Sequence, residues 1–510
     1  MRPIIFTTSI LMLLASPLLY AEPNVMETVL EDISTQETVA LNASSNHAET
    51  AIITPQNLKD IYNLALQHDP TWAAAGYANV GAQEKIAQGK ALLRPTININ
   101  SNLSHSDTSI VYSGLNVFRN NNQSDRFDTL SYGVNVNQPL YRKQNKVQYQ
   151  AAFLQVDAAD LQLQQDRQDL IMKAAQAYFE VLLAQDKLDL NQAQKAAIAS
   201  QLAQAKANFQ HGVSTITDVD EAQAKFDVVQ SQEIATNIEI ENKKQAVELL
   251  TGQLPTSLLG IQANIPLSMP TLADQATEQT NSPQADQPQV NIPETHSTQI
   301  SLPLTAWLQQ AQQHNIAIQL KKMDYAIASK AVELNQAGHL PTLDAVANYT
   351  VTNANGGING YGSDLNNATI GLQLQIPLYQ GGAVSSKIRE AIANQQKAQQ
   401  EIEAANRKAE LETKKAYLDI TSSMVQAQAN VQSLHSAQSQ LASTTKSFKL
   451  GIRTNVDVLN AQQQVFNAKR DLLQTHYNYL LGLLKLKYAS GVLYDQDLEQ
   501  VNQLLVTSNQ

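Results

Sequence analysis

The chain carries one architecture twice. Leu58, His68 and Pro95 recur as Leu304, His314 and Pro341, each displaced by 246 positions. Gly133, Pro139, Leu140 and Tyr141 recur as Gly371, Pro377, Leu378 and Tyr379 at a displacement of 238. Ala177-Tyr178, Gly212-Val213, Asp218-Val219 and Ala222-Gln223 recur as Ala416-Tyr417, Gly451-Ile452, Asp457-Val458 and Ala461-Gln462 at 239. An offset that holds within elements and changes only between them is what duplication followed by loop-length drift leaves behind. Whatever one half folds into, the other folds into as well. The 510 residues are therefore one repeated architecture and not three or four unrelated domains.

Each half orders its elements alike. A helical segment, Leu58–Leu93 or Leu304–His339, precedes two strand-like segments around a polar loop. A very long helix follows, Arg142–Gln210 or Gly382–Leu450, then a glycine turn and a last helix, Thr217–Leu250 or Asn455–Tyr488. Leu170, Ala174, Ala177, Val181, Ala184 and Leu188 alternate steps of four and three, the spacing of a coiled-coil seam. A helix of this length spans roughly 100 Å, too long for a globular core. The two shorter helices of a half, 36 and 34 residues, together match the 69 of Arg142–Gln210. Stacked end to end they would equal one long helix, as in a wall built of equal staves.

The strands alternate. Leu130, Tyr132, Val134 and Val136 interleave with Ser131, Gly133, Asn135 and Asn137, and Ile370, Leu372, Leu374 and Ile376 with Thr369, Gly371, Gln373 and Gln375. Ile97, Ile99 and Leu103 do the same among Asn and Ser, and Leu343–Val351 less strictly. One apolar face and one uncharged polar face suit either an antiparallel sheet over a core or a membrane barrel around a wet lumen. Tyr141 and Tyr379 close their strands where an interfacial girdle would stand. Four strands cannot close a barrel alone, so a membrane reading requires several chains to pool them.

The flanking segments add the compartment. Arg2, the apolar stretch Ile4–Leu19 and Tyr20-Ala21-Glu22 have the layout of an export signal over residues 1–21. Residues 22–56 read as a flexible acidic extension, 57–270 as the first repeat and 271–301 as a Thr-, Gln-, Pro- and Asn-rich linker. The second repeat is 302–490, followed by a C-terminal tail, 491–510. Lys+Arg 35 against Asp+Glu 46 gives net charge −11, without the basic footprint of a nucleic-acid binder. The absence of cysteine excludes disulfides, thiolate metal sites and lipidation at a processed N-terminal cysteine. The histidines are scattered, and no nucleophile elbow or phosphate-cradling loop is present, so no enzyme, cofactor or metal is expected.

These features together resemble the TolC family of outer-membrane channel-tunnels. The resemblance rests on the export signal, the duplication, the Pro-Leu-Tyr strand ends at Pro139 and Pro377, and the turns Gly212–Val219 and Gly451–Leu459. It also rests on Gly338–Asp344 and Pro377–Gly382, and it covers roughly Leu58 to Leu505 outside the linker. It implies a homotrimer in the outer membrane lipid, with a 12-stranded β-barrel of four strands per chain above a long periplasmic α-helical coiled-coil barrel. It implies a passive export duct in a tripartite efflux pump or type I secretion system. The implied partners are a periplasmic adaptor and an inner-membrane transporter of RND, ABC or MFS type, and cargo would be drugs, small molecules or proteins.

By the same resemblance the two turns are the tips of the tunnel. Gly212, Val213, Gly451, Ile452 and Thr454 match the adaptor-contact tips, and Arg453 matches the family's gating arginine with Thr217 and Asp218 as its partners. Phe448 stands where better-known members carry a tyrosine and cannot donate that hydroxyl bond. Asp457 matches one of two acidic pore-mouth rings, while Asn460 replaces the second. Asn460 corresponds at 239 to Glu221, so the second ring is expected to have moved between repeats. Asp218–Glu221 and Thr454–Asp457 also fit helix-capping boxes, a purely structural role that leaves Arg453 unexplained. The competing architecture is a periplasmic coiled-coil adaptor or structural protein without a pore, which would not need the four alternating strands.

Overall fold

The structure is a computed structural model that describes residues 55–110, 123–261, 267–269, 303–357 and 361–506. The export signal, nearly all of the acidic extension and the linker lie outside these residues. Pro55–Gln510 forms one unit. In the first repeat it contains α1 (Leu58–His68), α2 (Pro70–Ala91), β1 (Thr96–Ile110), β2 (Gln123–Tyr141), α3 (Lys143–Gln210), α4 (Ile216–Thr251) and β3 (Gly260–Ile261). The second repeat contains α5 (Leu304–His314), α6 (Ile316–Gln336), β4 (Thr342–Ala354), β5 (Ser363–Gln375), α7 (Ala383–Lys449) and α8 (Asn455–Ala489). The chain ends with α9 (Asp495–Asn502) and β6 (Leu505–Val506).

The first helix expected in each half is two helices. At the first break Asp69 caps α2, its Oδ1 accepting from the Thr71 N–H at 2.7 Å, and Pro70 takes the first helical position, where its missing N–H costs nothing. At the second, Asn315 Oδ1 accepts from the Ile318 N–H at 3.2 Å and Asn315 Nδ2 donates to the Ala489 carbonyl at 2.8 Å. The repeat-matched His68 and His314 are the last residues before these breaks.

The helices lie side by side. α3 is flanked by α2 and α6 above and by α4 and α8 below, and α7 lies beyond α6 and α8. The order is therefore α2/α4, α3, α6/α8, α7: four staves in an open ribbon. The predicted α3 seam is buried from Leu170 to Ala184, with Leu188 half-buried. Around it sits the main apolar core, with Trp307, Tyr178, Tyr477 and Leu480, at the level where the short helices break. The described part of the C-terminal tail folds back onto this core. Lys487 Nζ meets Asp497 at 2.5 Å with both side chains nearly buried, Lys59 meets Glu499 at 2.7 Å, and β6 pairs with β3.

Ion pairs fasten the two repeats directly beneath the sheet. Arg142 grips Asp344 with Nε at 2.8 Å and Nη2 at 2.5 Å. Beside them Glu333 accepts from Lys143 at 2.6 Å and Lys330 at 2.8 Å, which pulls its carboxyl down to about 2. A depressed carboxylate stabilises the fold above its ordinary range near 4.5, and that contribution disappears as pH falls toward 2.

The four long strands form one antiparallel sheet in the order β1-β2-β4-β5, with both edges unpaired among the described residues. The register puts Ile97, Val136, Ala347 and Ile370 in one row, so the apolar residues of all four strands share a face. On β2 that face is the open one: Leu130, Tyr132 and Val134 are exposed, while Ser131, Gly133 and Asn135 on the other are partly or wholly covered. A sheet over a hydrophobic core would bury the apolar face, and on β2 the polar face is the more sheltered one. The apolar band runs above the shared row on β1 (Ile97–Leu103) and below it on β5 (Ile370–Leu374). It thus falls by about five residues over three strand steps, a tilt of roughly 50° at ~3.3 Å per residue and ~4.8 Å between strands. That steepness is near the strand tilt of closed β-barrels, membrane barrels among them. No described helix is long and apolar enough to cross a membrane.

Candidate functional site

The two helical hairpins end in tips built to one plan. After α3, the Gly212 N–H donates to the Phe209 carbonyl at 2.9 Å and the Val213 N–H to the Asn208 carbonyl at 2.8 Å. After α7, Gly451 and Ile452 repeat these bonds to Phe448 and Ser447 at 2.9 and 3.0 Å. This pattern needs a left-handed residue, and Gly212 and Gly451 supply it at φ +71° and +72° with open space around them. The next helix is then capped. Thr215 donates from N and Oγ1 to Asp218 Oδ2, both at 2.9 Å, and the Asp218 N–H donates back to Thr215 Oγ1 at 3.3 Å. Thr454 and Asp457 show the same three distances. The second capping box is the one expected from sequence. The first corrects the expectation, lying one turn earlier at Thr215–Asp218 and not at Asp218–Glu221, because Thr215 is the residue left extended at the helix start.

The predicted site residues fall into place unevenly. Gly212, Val213, Gly451, Ile452 and Thr454 are exposed at the tips, and Ile216 and Leu450 widen the apolar cap. Thr217 and Glu221 are exposed, and Asp218 and Phe448 are half-buried. Arg453 pairs with Asp457 of its own tip at 3.7 Å. The Thr454 hydrogen bonds, with the Arg453 charge behind them, hold the Asp457 carboxyl below its ordinary range. Among the described residues no hydrogen bond or ion pair joins one tip to the other. A single chain thus does not bring Thr217, Asp218, Phe448 and Arg453 together.

What does join the hairpins was missed from sequence. Leu459 of α8 enters the apolar cluster of Ile198, Leu202, Val219 and Ala222 on the first hairpin. Gln194 Nε2 donates to Gln463 Oε1 across the same boundary at 2.6 Å. Asn455 is 6% exposed, and among the described residues both its amide atoms, like Gln201 Oε1 and Gln462 Oε1, are buried without a partner. The repeat offset held the clue, since Asn455 corresponds at 239 to the exposed Ile216. Among the described residues no group of carboxylates and histidines is placed to hold a metal ion.

Known proteins share this architecture. The family described as outer membrane efflux protein matches residues 61–253 and 307–492. The outer membrane protein TolC of Vibrio cholerae is 32% identical over 449 residues, 88% of this chain and 93% of that one. The proteases secretion protein PrtF of Dickeya chrysanthemi is 30% identical over 91% of this chain and 93% of its own. The crystal structure of the outer membrane protein VceC from Vibrio cholerae, only 20% identical, superposes with a TM-score of 0.65 over 85% of this chain and 96% of that one, and so shares the fold. Duplicated staves, a tilted four-stranded sheet with its apolar face outward, and this kinship lead to one conclusion: the chain belongs to the outer membrane efflux protein family and is an outer-membrane channel of the efflux and type I secretion kind.

Proposed function

We propose that three copies close edge to edge into a 12-stranded barrel continuous with a ring of twelve staves. This is a passive export duct whose tips dock a periplasmic adaptor and, through it, an inner-membrane transporter. The carrying observation is that sheet and ribbon are open on the same two sides. β1 and α2/α4 form one edge, and β5 and α7 form the other. The helical edges also fit each other. On α7, Leu411, Leu418 and Val425 are exposed at seven-residue spacing, a coiled-coil seam without a partner. On α4, Ile234, Ile238 and Leu249 are exposed opposite the side that packs on α3. At ~1.5 Å per residue Leu249 lies ~50 Å from its tip and Leu418 ~47 Å from its own. In this cysteine-free chain, Leu249→Cys with Leu418→Cys is expected to give a disulfide-linked trimer under mild oxidation. A monomer that never crosslinks on non-reducing gels overturns this closure.

The gate then sits between copies, with Arg453 of one tip meeting the Thr217–Asp218 step of a neighbouring tip. Phe448 contributes packing but no hydroxyl. Arg453→Ser is expected to raise closed-state conductance several-fold in planar bilayers; unchanged conductance counts against the assignment. Asp457 and Glu221 line the mouth as its anionic rings. Asp457→Ala with Glu221→Ala is expected to reduce cation selectivity and block by trivalent cations, and an unmoved reversal potential removes both from the pore.

A further inference from the structure

The face of the sheet that carries the apolar band does not stay apolar. Two register rows beyond Leu103 and Leu130, His105 opposes Asp128, and two rows further Asp107 opposes Arg126. His105 Nδ1 and Asp128 Oδ1 are 2.7 Å apart, and Arg126 Nε donates to Asp107 Oδ2 at 2.9 Å. Asn355, from the third strand's end, accepts the Asp128 N–H at 2.7 Å and donates to its carboxylate at 3.4 Å. The opposite face carries Ser104, Ser106, Phe127 and Thr129 in the interleaved rows, with Asp125 following opposite Thr108. These two pairs therefore stand on the face of the apolar band, the outer one in the proposed barrel, where a water-filled lumen has no need of them.

Charge on the lipid side of a strand is costly at the bilayer midplane, and the cost fades toward the interface. Four ionisable groups directly above the band therefore mark the head-group layer. The helices leave the other end of the strands, at Thr96 and Tyr141, so this is the layer remote from the periplasmic staves. The donors are only partly used. Arg126 is 75% exposed on its side chain, and among the described residues it spends Nε alone, leaving both Nη groups, while His105 spends Nδ1, leaving Nε2. The two aspartates hold these donors in position, and a guanidinium held at one edge is suited to accept a phosphate at the other.

The geometry points to Arg126 and His105 as a docking site for the phosphate groups of an anionic glycolipid of the outer leaflet, with Asp107 and Asp128 as positioning residues. This rests on reading the sheet as part of a closed, lipid-facing barrel. The full chain, extracted from outer membranes as the oligomer, is reconstituted into phosphatidylcholine vesicles. These contain a minor fraction of bisphosphorylated lipid A, the same fraction of phosphatidylglycerol, or added inorganic phosphate. Lipid retained after delipidating washes is counted by mass spectrometry. The native chain is expected to retain lipid A selectively, and Arg126→Ala with His105→Ala to lower retention at least roughly tenfold, the loss of about one charge-assisted hydrogen bond. Arg126→Lys is expected to fall between, since a point charge cannot reproduce the guanidinium fork. Equal retention by the double variant overturns the site, and so does equal retention of phosphatidylglycerol or a response to free phosphate. A native chain that never enters the outer membrane as an oligomer overturns the barrel reading itself, a failure visible before any lipid is counted.

Discussion

Gly491→Ala is expected to leave almost no folded channel in the outer membrane. Gly491 follows α8 at φ +76°, where an L side chain costs about 1–2 kcal/mol on its own. A Cβ there would also lie 2.3 Å from the His314 carbonyl oxygen and 2.6 Å from the Asn315 Cα, both backbone atoms of the α5–α6 break. Neither side can give way easily. Asn315 Nδ2 is bonded to the Ala489 carbonyl, which also accepts from Thr413 Oγ1 at 3.3 Å. The clash with backbone adds to the strain of the positive φ, which places this substitution among the strongly destabilising ones. Gly451→Ala is the matched control, with φ +72° and no atom within 4 Å, so it bears the strain alone. Outer-membrane oligomer measured by semi-native electrophoresis should vanish for the first and persist for the second. Normal amounts of the Gly491 variant would show that the turn is free to shift.

The second large effect belongs to Arg142→Ala. Its bidentate grip on Asp344 ties the start of α3 in the first repeat to β4 in the second, and the Asp344 side chain is only 7% exposed. Truncation leaves a carboxylate buried without its counter-charge, which costs about 3 kcal/mol. Arg142→Ala combined with Asp344→Ala removes the stranded charge and should recover most of that loss. Thermal dissociation of the purified oligomer reads both. If the double variant is no more stable than the single one, the penalty arises from packing of the arginine stem and not from the orphaned carboxylate.

The broad plan of this fold is legible in the sequence because its elements are long and periodic. The repeat offset, the alternation from Leu130 to Val136 and the seam from Leu170 to Ala184 all lie where the structure places the corresponding strand and buried face. Local breaks were harder to see. The helix interruptions at Asp69 and Asn315 lie inside otherwise helical patterns, and each is set by a side chain that caps the next helix, joined at the first by Pro70. The fold-back of α9 was hidden because its anchors, Lys487–Asp497 and Lys59–Glu499, join positions whose proximity no local pattern encodes. At the tips the glycine turns were readable, and the residues that join the hairpins were not. A buried amide such as Asn455 looks in sequence like any polar residue at a helix start.

The open edges of the single chain also govern how it can assemble. One copy exposes two edges, and two joined copies still expose two, because each contact uses one edge of either kind and leaves the other. In the proposed closure of three copies, only the step that completes the ring reduces the number to zero. Until then every intermediate offers unpaired strands and an apolar helical seam to any chain it meets. Partial rings therefore gain nothing in protection as they grow. Accumulation should be poor for incomplete assemblies and abrupt for complete ones, so the concentration of nascent chains at the membrane becomes the variable that decides between a finished channel and an aggregate.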